Sequence, residues 1–225
     1  MNKKDFQNFI KSRGISSTTF GDYQRLQCGY ISPTIIEERQ LNVAQMDVFS
    51  RLMMDRIIFF GSEVDEVTAN VVVSQLIYLQ NQDSEAPIKM YINSPGGSVY
   101  DGYSIIDTMD FITCPVETTC TGLAASFGAM MLMCGEKGSR YALPHARIMV
   151  HQPLGSARGQ ASDIQIVAEE ILKIKNELQE IASDRTGKPV EEIIKAFDRD
   201  CWMTAQEAKD FGIIDEVVTK DKKKK

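Results

Sequence analysis

Short apolar runs alternate with helical patterns along most of this chain of 225 residues. Each run has the length of a buried strand, and each precedes a segment whose apolar side chains recur every three or four residues. The four pairs are IIFF (57–60) with 64–79, IKMYIN (88–93) with 103–112, PVETTC (115–120) with a helix from Ser126, and ARIMVHQ (146–152) with about 161–183. The alternation predicts an α/β domain with a largely parallel sheet and with functional loops at the strand ends.

The C-terminal part of the chain carries its own boundary signals. Thr204 and Glu207 in TAQE form a capping box, which predicts the start of a helix. Gly212 is a suitable helix stop, and the run IIDEVV (213–218) after it predicts a further strand.

Composition sets the domain boundaries. With 43% apolar side chains the chain is long enough for one domain with a proper core. Residues 1–29 are polar and lack sustained periodicity, so we interpret them as an N-terminal appendage. We predict a single domain over 30–218, followed by a basic flexible tail at 219–225.

Charge and cysteine usage exclude several classes of protein. A net charge of -6 argues against a nucleic-acid or anionic-membrane partner, which would need an excess of clustered Lys and Arg. Five cysteines without a CxxC pair would leave one thiol unpaired in an oxidising compartment. No secretory leader and no run of about 20 apolar residues is present. The sequence predicts a soluble, cytoplasmic protein.

The long helix at about 161–183 has an apolar seam with heptad spacing. Such a stripe packs either on its own sheet or, if part of the helix projects, against another subunit, and the pattern does not decide between the two. A helix of this length spans roughly 30 Å, the width of a small domain. Six residues form the seam: Ile164, Val167, Ile171, Ile174, Leu178 and Ile181.

The segment GLAASFGAM (122–130) sets Ser126 among small residues where a strand meets a helix. A-A-S-F-G is close to the G-x-S-x-G nucleophile elbow, in which small neighbours expose the hydroxyl. The N-H of Phe127 would then face an oxyanion from a helix N-terminus. The alternative is an ordinary N-cap serine, which is the more frequent role of such a residue.

A nucleophilic serine needs a base and a carboxylate that orients the base. The chain has two histidines, and His151 is better placed than His145 because it ends a strand, although a structural histidine is an equal alternative. The chemistry does not choose among four acidic candidates. These are Asp184, Asp198, Asp200 and Asp215.

Two glycine-containing loops complete the set of candidates. INSPGGSV (92–99) follows a strand, and its paired glycines would supply a second oxyanion N-H or an edge on which an extended peptide adds as a strand. The alternative is that this segment is an ordinary turn. GSARGQ (155–160) lacks the lysine and serine of a phosphate-binding loop. We predict no metal and no cofactor, and any use of ATP would lie with a partner.

Four blocks of the sequence, in order, resemble the ClpP family, the proteolytic subunit of the ATP-dependent Clp protease. The resemblance runs from about Pro33 to Val218, and the blocks are YINSPGGSV, GLAASFGAM, RIMVHQPLG and DRDCWMTAQEA. It implies that Ser126 is the nucleophile, His151 the general base and Asp200 the orienting carboxylate. The backbone N-H groups of Gly97 and Phe127 match the family's oxyanion hole.

The resemblance also implies a fold and an assembly. The fold would be the crotonase-like spiral of βαβ units, with the helix at 161–183 as a protruding handle. That handle would join two stacked heptameric rings into a homo-oligomer of fourteen subunits. The substrates would be unfolded polypeptides threaded in by a hexameric AAA+ unfoldase such as ClpX, and short peptides that enter without it.

This chain departs from the family pattern at two places. Phe127 stands where the family commonly has Met after the nucleophile, which leaves the backbone donor in place but could alter the substrate pocket. Residues 1–29 are longer than the N-terminal segment of many members, and the resemblance would put removal of a propeptide near Gly29 and Tyr30.

Two other functions remain as alternatives at this stage. A crotonase-type acyl-CoA enzyme would share the fold and the oxyanion hole, but it would not need a Ser-His-Asp set. A non-catalytic ring subunit would only support active relatives, and such subunits usually lose one triad residue.

Overall fold

The computed structural model describes residues 34–39 and 42–219, with side chains from residue 47 onward. The predicted appendage at 1–29, its proposed processing point and the tail residues 220–225 lie outside the described residues. Two compact units divide between Arg51 and Leu52. The domain boundaries at 30 and 218 stay predictions.

The first unit contains an antiparallel pair of strands. Strand β1 (Thr34–Arg39) pairs with β2 (Asn42–Asp47), and Arg39 lies opposite Asn42. Helix α1 (Val48–Met54) begins in this unit, where the Asp47 carboxylate accepts a hydrogen bond of 3.0 Å from the Ser50 N-H. The sequence pattern did not predict these elements individually.

The second unit alternates strands and helices, as the sequence predicts. In chain order the elements are β3 (Ile57–Phe60), α2 (Glu66–Gln82), β4 (Ile88–Ser94), α3 (Val99–Phe111), β5 (Val116–Ala125), α4 (Phe127–Met133), β6 (Arg140–Ala142), β7 (Arg147–Val150), α5 (Ala161–Thr186), α6 (Val190–Ala196), β8 (Cys201–Thr204), α7 (Ala205–Phe211) and β9 (Glu216–Val217).

These strands form a seven-stranded sheet within the described residues. Strands β3, β4, β5, β6 and β9 are neighbours in that order and parallel, and β7 runs parallel to β5. Strand β8 pairs with β7 in the antiparallel sense. The prediction of an α/β domain with a largely parallel sheet is confirmed.

The core forms between the sheet and helix α4. Alternate side chains of β4 are buried, and all seven residues of α4 are buried as well. A Cβ atom added to Gly128 would lie 3.0 Å from the Ser94 carbonyl oxygen, so small residues let the start of α4 lie close to the sheet. The small residues of GLAASFGAM therefore serve packing as well as the turn at Ser126.

Helix α5 divides into two halves with different surroundings. Residues 161–170 are exposed, whereas Ile174, Leu178 and Ala182 of the second half are buried in the core. The predicted seam is therefore buried in its own domain from Ile174 onward, and Ile171 before it is half-buried. Of the helices in the part of the chain that the structure describes, none combines the length and hydropathy needed to span a membrane.

Several element boundaries differ from the prediction. Strand β5 continues to Ala125 because its last residues pair with both β4 and β7. Only two residues of the predicted strand 213–218 pair with β6. The capping box at Thr204 and the helix stop at Gly212, whose φ is 96°, are confirmed.

Candidate active site

Ser126 lies on a sharp turn between β5 and α4. Its φ of 54° and ψ of -122° are a strained conformation for a residue other than glycine, and its N-H is held by the Met149 carbonyl oxygen at 2.8 Å. Although Ser126 is the N-cap residue, its side chain makes no cap hydrogen bond. The hydroxyl is therefore directed away from the helix end, as in a nucleophile elbow.

Strand pairing brings His151 and Asp200 to the same end of the sheet. His151 follows the last residue of β7, and Asp200 precedes the first residue of β8. Because Val150 lies opposite Cys201 in the antiparallel pair, the next residue of β7 and the preceding residue of β8 face one another. Ser126 follows the end of β5, the parallel neighbour of β7.

The three side chains form one hydrogen-bonded chain. His151 Nε2 lies 2.9 Å from Ser126 Oγ, and His151 Nδ1 lies 3.0 Å from Asp200 Oδ1. A carboxylate can only accept, so Nδ1 carries the proton and Nε2 presents its lone pair to the serine hydroxyl. The His151 side chain is 15% exposed and that of Asp200 is 64% exposed. This arrangement can remove the hydroxyl proton during attack on a carbonyl carbon.

The other acidic candidates from the sequence have different partners. Asp215 forms an ion pair of 2.6 Å with Arg140, Asp184 lies 3.8 Å from Arg185, and Asp198 lies 3.9 Å from Arg199. His145 is exposed in the turn before β7. Of the four aspartates, the structure brings only Asp200 into hydrogen-bond contact with His151.

The loop after β4 contains Gly97 and is held by the backbone of Val64. Val64 pairs with this loop by donating to the Gly96 carbonyl oxygen and accepting from the Ser98 N-H, both at 2.8 Å. Because neighbouring amides of an extended segment point to opposite sides, the Gly97 N-H faces away from Val64. Within the described residues neither the Gly97 N-H nor the Phe127 N-H donates a hydrogen bond.

Gly96, the first of the paired glycines in INSPGGSV, contacts the serine turn directly. A Cβ atom at Gly96, whose φ is 90°, would lie 2.6 Å from the Ala125 carbonyl oxygen and 2.7 Å from Ser126 Cβ. Only glycine fits this approach and this φ. The doubled glycine in SPGGS was the available signal.

Apolar surface surrounds the serine. A small cavity next to Ser126 is lined by Phe127, Met130, Leu178 and Phe197. A larger groove of about 610 Å³ shares Val99 and Pro153 with it and runs along helix α5. The cavity at Ser126 is only about 20 Å³ in volume, so the groove is the part large enough to accept a chain with apolar side chains. Over the described part of the sequence, no cluster of three or more His, Cys, Asp or Glu residues is arranged to hold a metal ion.

The chain is similar to known proteins over most of its length. The family model described as Clp protease matches residues 39–221. A Porphyromonas gingivalis protein named ATP-dependent Clp protease proteolytic subunit is 59% identical over 210 residues, which cover 93% of this chain and 95% of the relative.

More distant relatives carry similar names. A Bacteroides fragilis protein with the same name is 54% identical, with 96% of this chain and 99% of the relative covered. A Bacillus cereus protein named ATP-dependent Clp protease proteolytic subunit 1 is 50% identical over 188 residues, covering 84% and 97%. The similarity therefore extends over nearly the whole length of these relatives.

Proposed function

Because this chain belongs to the Clp protease family, a family of serine peptidases, we propose that it hydrolyses peptide bonds with Ser126 as nucleophile. His151 is the general base and Asp200 orients the imidazole. The observation that carries this proposal is the chain of two hydrogen bonds, 2.9 and 3.0 Å long, through His151. Chance would not be expected to bring a serine, a histidine and an aspartate into one hydrogen-bonded chain at a strained turn.

The reaction is acyl transfer in two steps. His151 Nε2 takes the Ser126 proton as Oγ attacks the carbonyl carbon, and the imidazolium then protonates the leaving amine. Water, activated by the same nitrogen, hydrolyses the acyl-enzyme and releases the serine. Asp200 accepts from Nδ1-H throughout, which holds the tautomer and stabilises the imidazolium.

The oxyanion of each tetrahedral intermediate binds to two backbone N-H groups, those of Gly97 and Phe127. Two features support this assignment. Neither group donates to a described residue, and Gly96, the neighbour of Gly97, lies against Ser126 and the Phe127 nitrogen. Donors held in advance stabilise developing charge without reorganisation.

The substrate is an extended, unfolded polypeptide, and short peptides are hydrolysed as well. The support is the apolar groove along helix α5, which shares Val99 and Pro153 with the lining of the cavity at Ser126. An extended chain presents its apolar side chains to such a groove only when it is not folded. The relatives' names describe ATP-dependent subunits. Since this chain lacks a phosphate-binding loop motif, we assign the use of ATP to a hexameric AAA+ unfoldase such as ClpX, and no cofactor to this chain.

The assembly we propose is a homo-oligomer of two stacked heptameric rings, with helix α5 between the rings. The support is the exposed first half of α5, where Ile164, Ile166 and Val167 present apolar side chains to solvent in the single chain. The free thiols of Cys114, Cys120, Cys134 and Cys201 fit a reducing compartment, and we propose the cytoplasm.

Labelling with a fluorophosphonate probe tests the proposal. We expect one adduct by intact mass on the wild type and none on Ser126→Ala, because only an activated serine attacks the probe at a useful rate. Ser84→Ala, which removes an exposed hydroxyl beyond helix α2, serves as the matched control and is expected to label like the wild type.

Size-exclusion chromatography of the same samples makes a negative result interpretable. A large ring that takes no probe would contradict the peptidase and favour a non-catalytic ring subunit or an acyl-CoA enzyme. Turnover of a CoA thioester by that sample would distinguish between these two.

A further inference from the structure

The side chain of Phe127 is enclosed by helix α3. A Cβ atom at Gly102 would lie 2.3 Å from two atoms of the Phe127 ring, so the ring rests directly on the glycine backbone. On another side the Tyr103 ring meets it edge to face, with centroids 5.9 Å apart and planes at 83°. Two neighbouring residues of α3 thus fix the rotamer of the residue whose N-H is assigned to the oxyanion.

Tyr103 is in turn attached to helix α5. Its hydroxyl donates to Glu177 Oε2 at 3.3 Å, across 74 positions of sequence. Burial and the adjacent Glu177 carboxylate raise the pKa of Tyr103, so the hydroxyl remains a donor over the working range of an enzyme. The contact chain therefore runs from Glu177 through Tyr103 to Phe127.

We propose that Tyr103 is a positioning residue for hydrolysis, because its ring, held by Glu177, keeps the Phe127 N-H directed at the oxyanion. This inference rests on the proposed peptidase function. Tyr103 touches no reacting atom in this account and acts only through Phe127. An edge-to-face contact restrains the ring that it meets, and a small misplacement of an oxyanion donor is costly to the rate.

Steady-state hydrolysis of a fluorogenic peptide by three variants tests the proposal. Tyr103→Leu removes the ring edge, and we expect kcat to fall about tenfold while KM stays within about twofold. Tyr103→Phe keeps the edge and loses the hydroxyl, so its kcat should recover to within about threefold of wild type. Glu177→Leu removes the hydroxyl's acceptor and should match Tyr103→Phe, with no further loss in the double variant.

A peptide aldehyde of the substrate's sequence gives a second readout. Its hemiacetal oxygen occupies the oxyanion position, so its affinity should fall in the same order and by similar factors as kcat/KM. Phe111→Leu is the matched control, because Phe111 is on the same helix but 84% exposed. It should leave kcat and aldehyde affinity unchanged.

The outcomes separate this inference from the proposed function. A wild type that neither cleaves the peptide nor takes the fluorophosphonate would overturn both. If the wild type is active and Tyr103→Leu has an unchanged kcat, the positioning role alone is overturned. The same holds if Tyr103→Leu loses kcat/KM only through a higher KM. If Tyr103→Leu does not assemble, Tyr103→Phe and Glu177→Leu decide, and additive losses in their double variant would count against the contact chain.

Discussion

The Nε2 atom of His151 lies 2.9 Å from the Oγ atom of Ser126, although 25 positions of sequence separate the two residues. The contact exists because β5 and β7 are parallel neighbours, with Ala125 opposite Met149 at their ends. Both residues thus leave the sheet at the same edge, where the functional groups of parallel sheets usually meet.

The first prediction concerns the carboxylate that orients His151. In Asp200→Asn the amide can donate to Nδ1 and favour the wrong tautomer, so we expect kcat to fall about 10³- to 10⁴-fold with little change in KM. Asp210→Asn is the matched control, because its carboxylate accepts only from Gln206 on the same helix among the described residues. Peptide hydrolysis measures both, and similar rates for the two variants would refute the role of Asp200.

The second prediction compares two glycines with the same backbone conformation. Gly96 and Gly138 have φ values of 90° and 91°, but an added Cβ would strike Ala125 and Ser126 at the first and nothing within 4 Å at the second. Both alanine variants should lose about 1 to 2 kcal/mol of stability from the strained φ. Only Gly96→Ala should also lose activity, by about 100-fold, because the serine turn must move.

Thermal midpoints and kcat/KM of the two glycine variants, measured side by side, separate the cost of the strained φ from the effect of moving the serine turn. Equal activity in both variants would mean that the Gly96 contact does not hold the serine turn.

The third prediction concerns the ion pair between Arg140 and Asp215. Arg140 is 5% exposed, and its guanidinium meets Asp215 through Nε and Nη2 at 2.9 and 2.6 Å. Removing one partner of a mostly buried pair should lower the free energy of unfolding by about 3 kcal/mol in Asp215→Asn. The exposed pair of Lys188 and Glu192 is the control, and Glu192→Gln should cost no more than about 0.5 kcal/mol.

The fourth prediction is the pH dependence of that stabilisation. Burial alone would raise the pKa of Asp215, but the hydrogen bonds and charge of Arg140 outweigh it and hold the pKa below its ordinary value of 3.8. A lowered folded pKa stabilises the protein above pH 3.8, and the stabilisation is lost as the pH falls from there through the folded pKa. Stability of the wild type should therefore decline more steeply below this pH than that of Asp215→Asn, as denaturant midpoints would measure.

The fifth prediction concerns thiol reactivity. Burial raises the pKa of the Cys134 thiol to about 12 and that of Cys120 to about 11, whereas Cys201 is partly exposed. Since the thiolate is the reactive form, iodoacetamide at pH 8 should modify Cys201 before the other described cysteines. Peptide mass spectrometry gives the order, and early modification of Cys134 would disagree with its burial.

Local patterns accounted for most of the second unit and indicated Ser126 and, from its position at a strand end, His151. Ser126 stood out because small residues at a strand-to-helix transition are a signal confined to nine positions of sequence. Asp200 was not recognised from the local pattern, because β8, the strand that it precedes, has only four residues and too little periodicity. The resemblance to a known family named Asp200, and the pairing of Val150 with Cys201 supplies the physical reason.

Sequence patterns alone predicted four pairs of a strand and a helix, the capping box at Thr204 and the serine at the elbow, because each signal depends on residues near one another in the chain. Contacts between distant segments were visible only in the fold. These are the hydrogen bond from His151 to Asp200, which the resemblance implied without a physical reason, the contact of Gly96 with the serine turn, the ring contact of Tyr103 with Phe127, and the burial of helix α5 from Ile174 onward. These relationships depend on strand pairing and close packing between distant segments, and periodicity along a single segment carries no information about either.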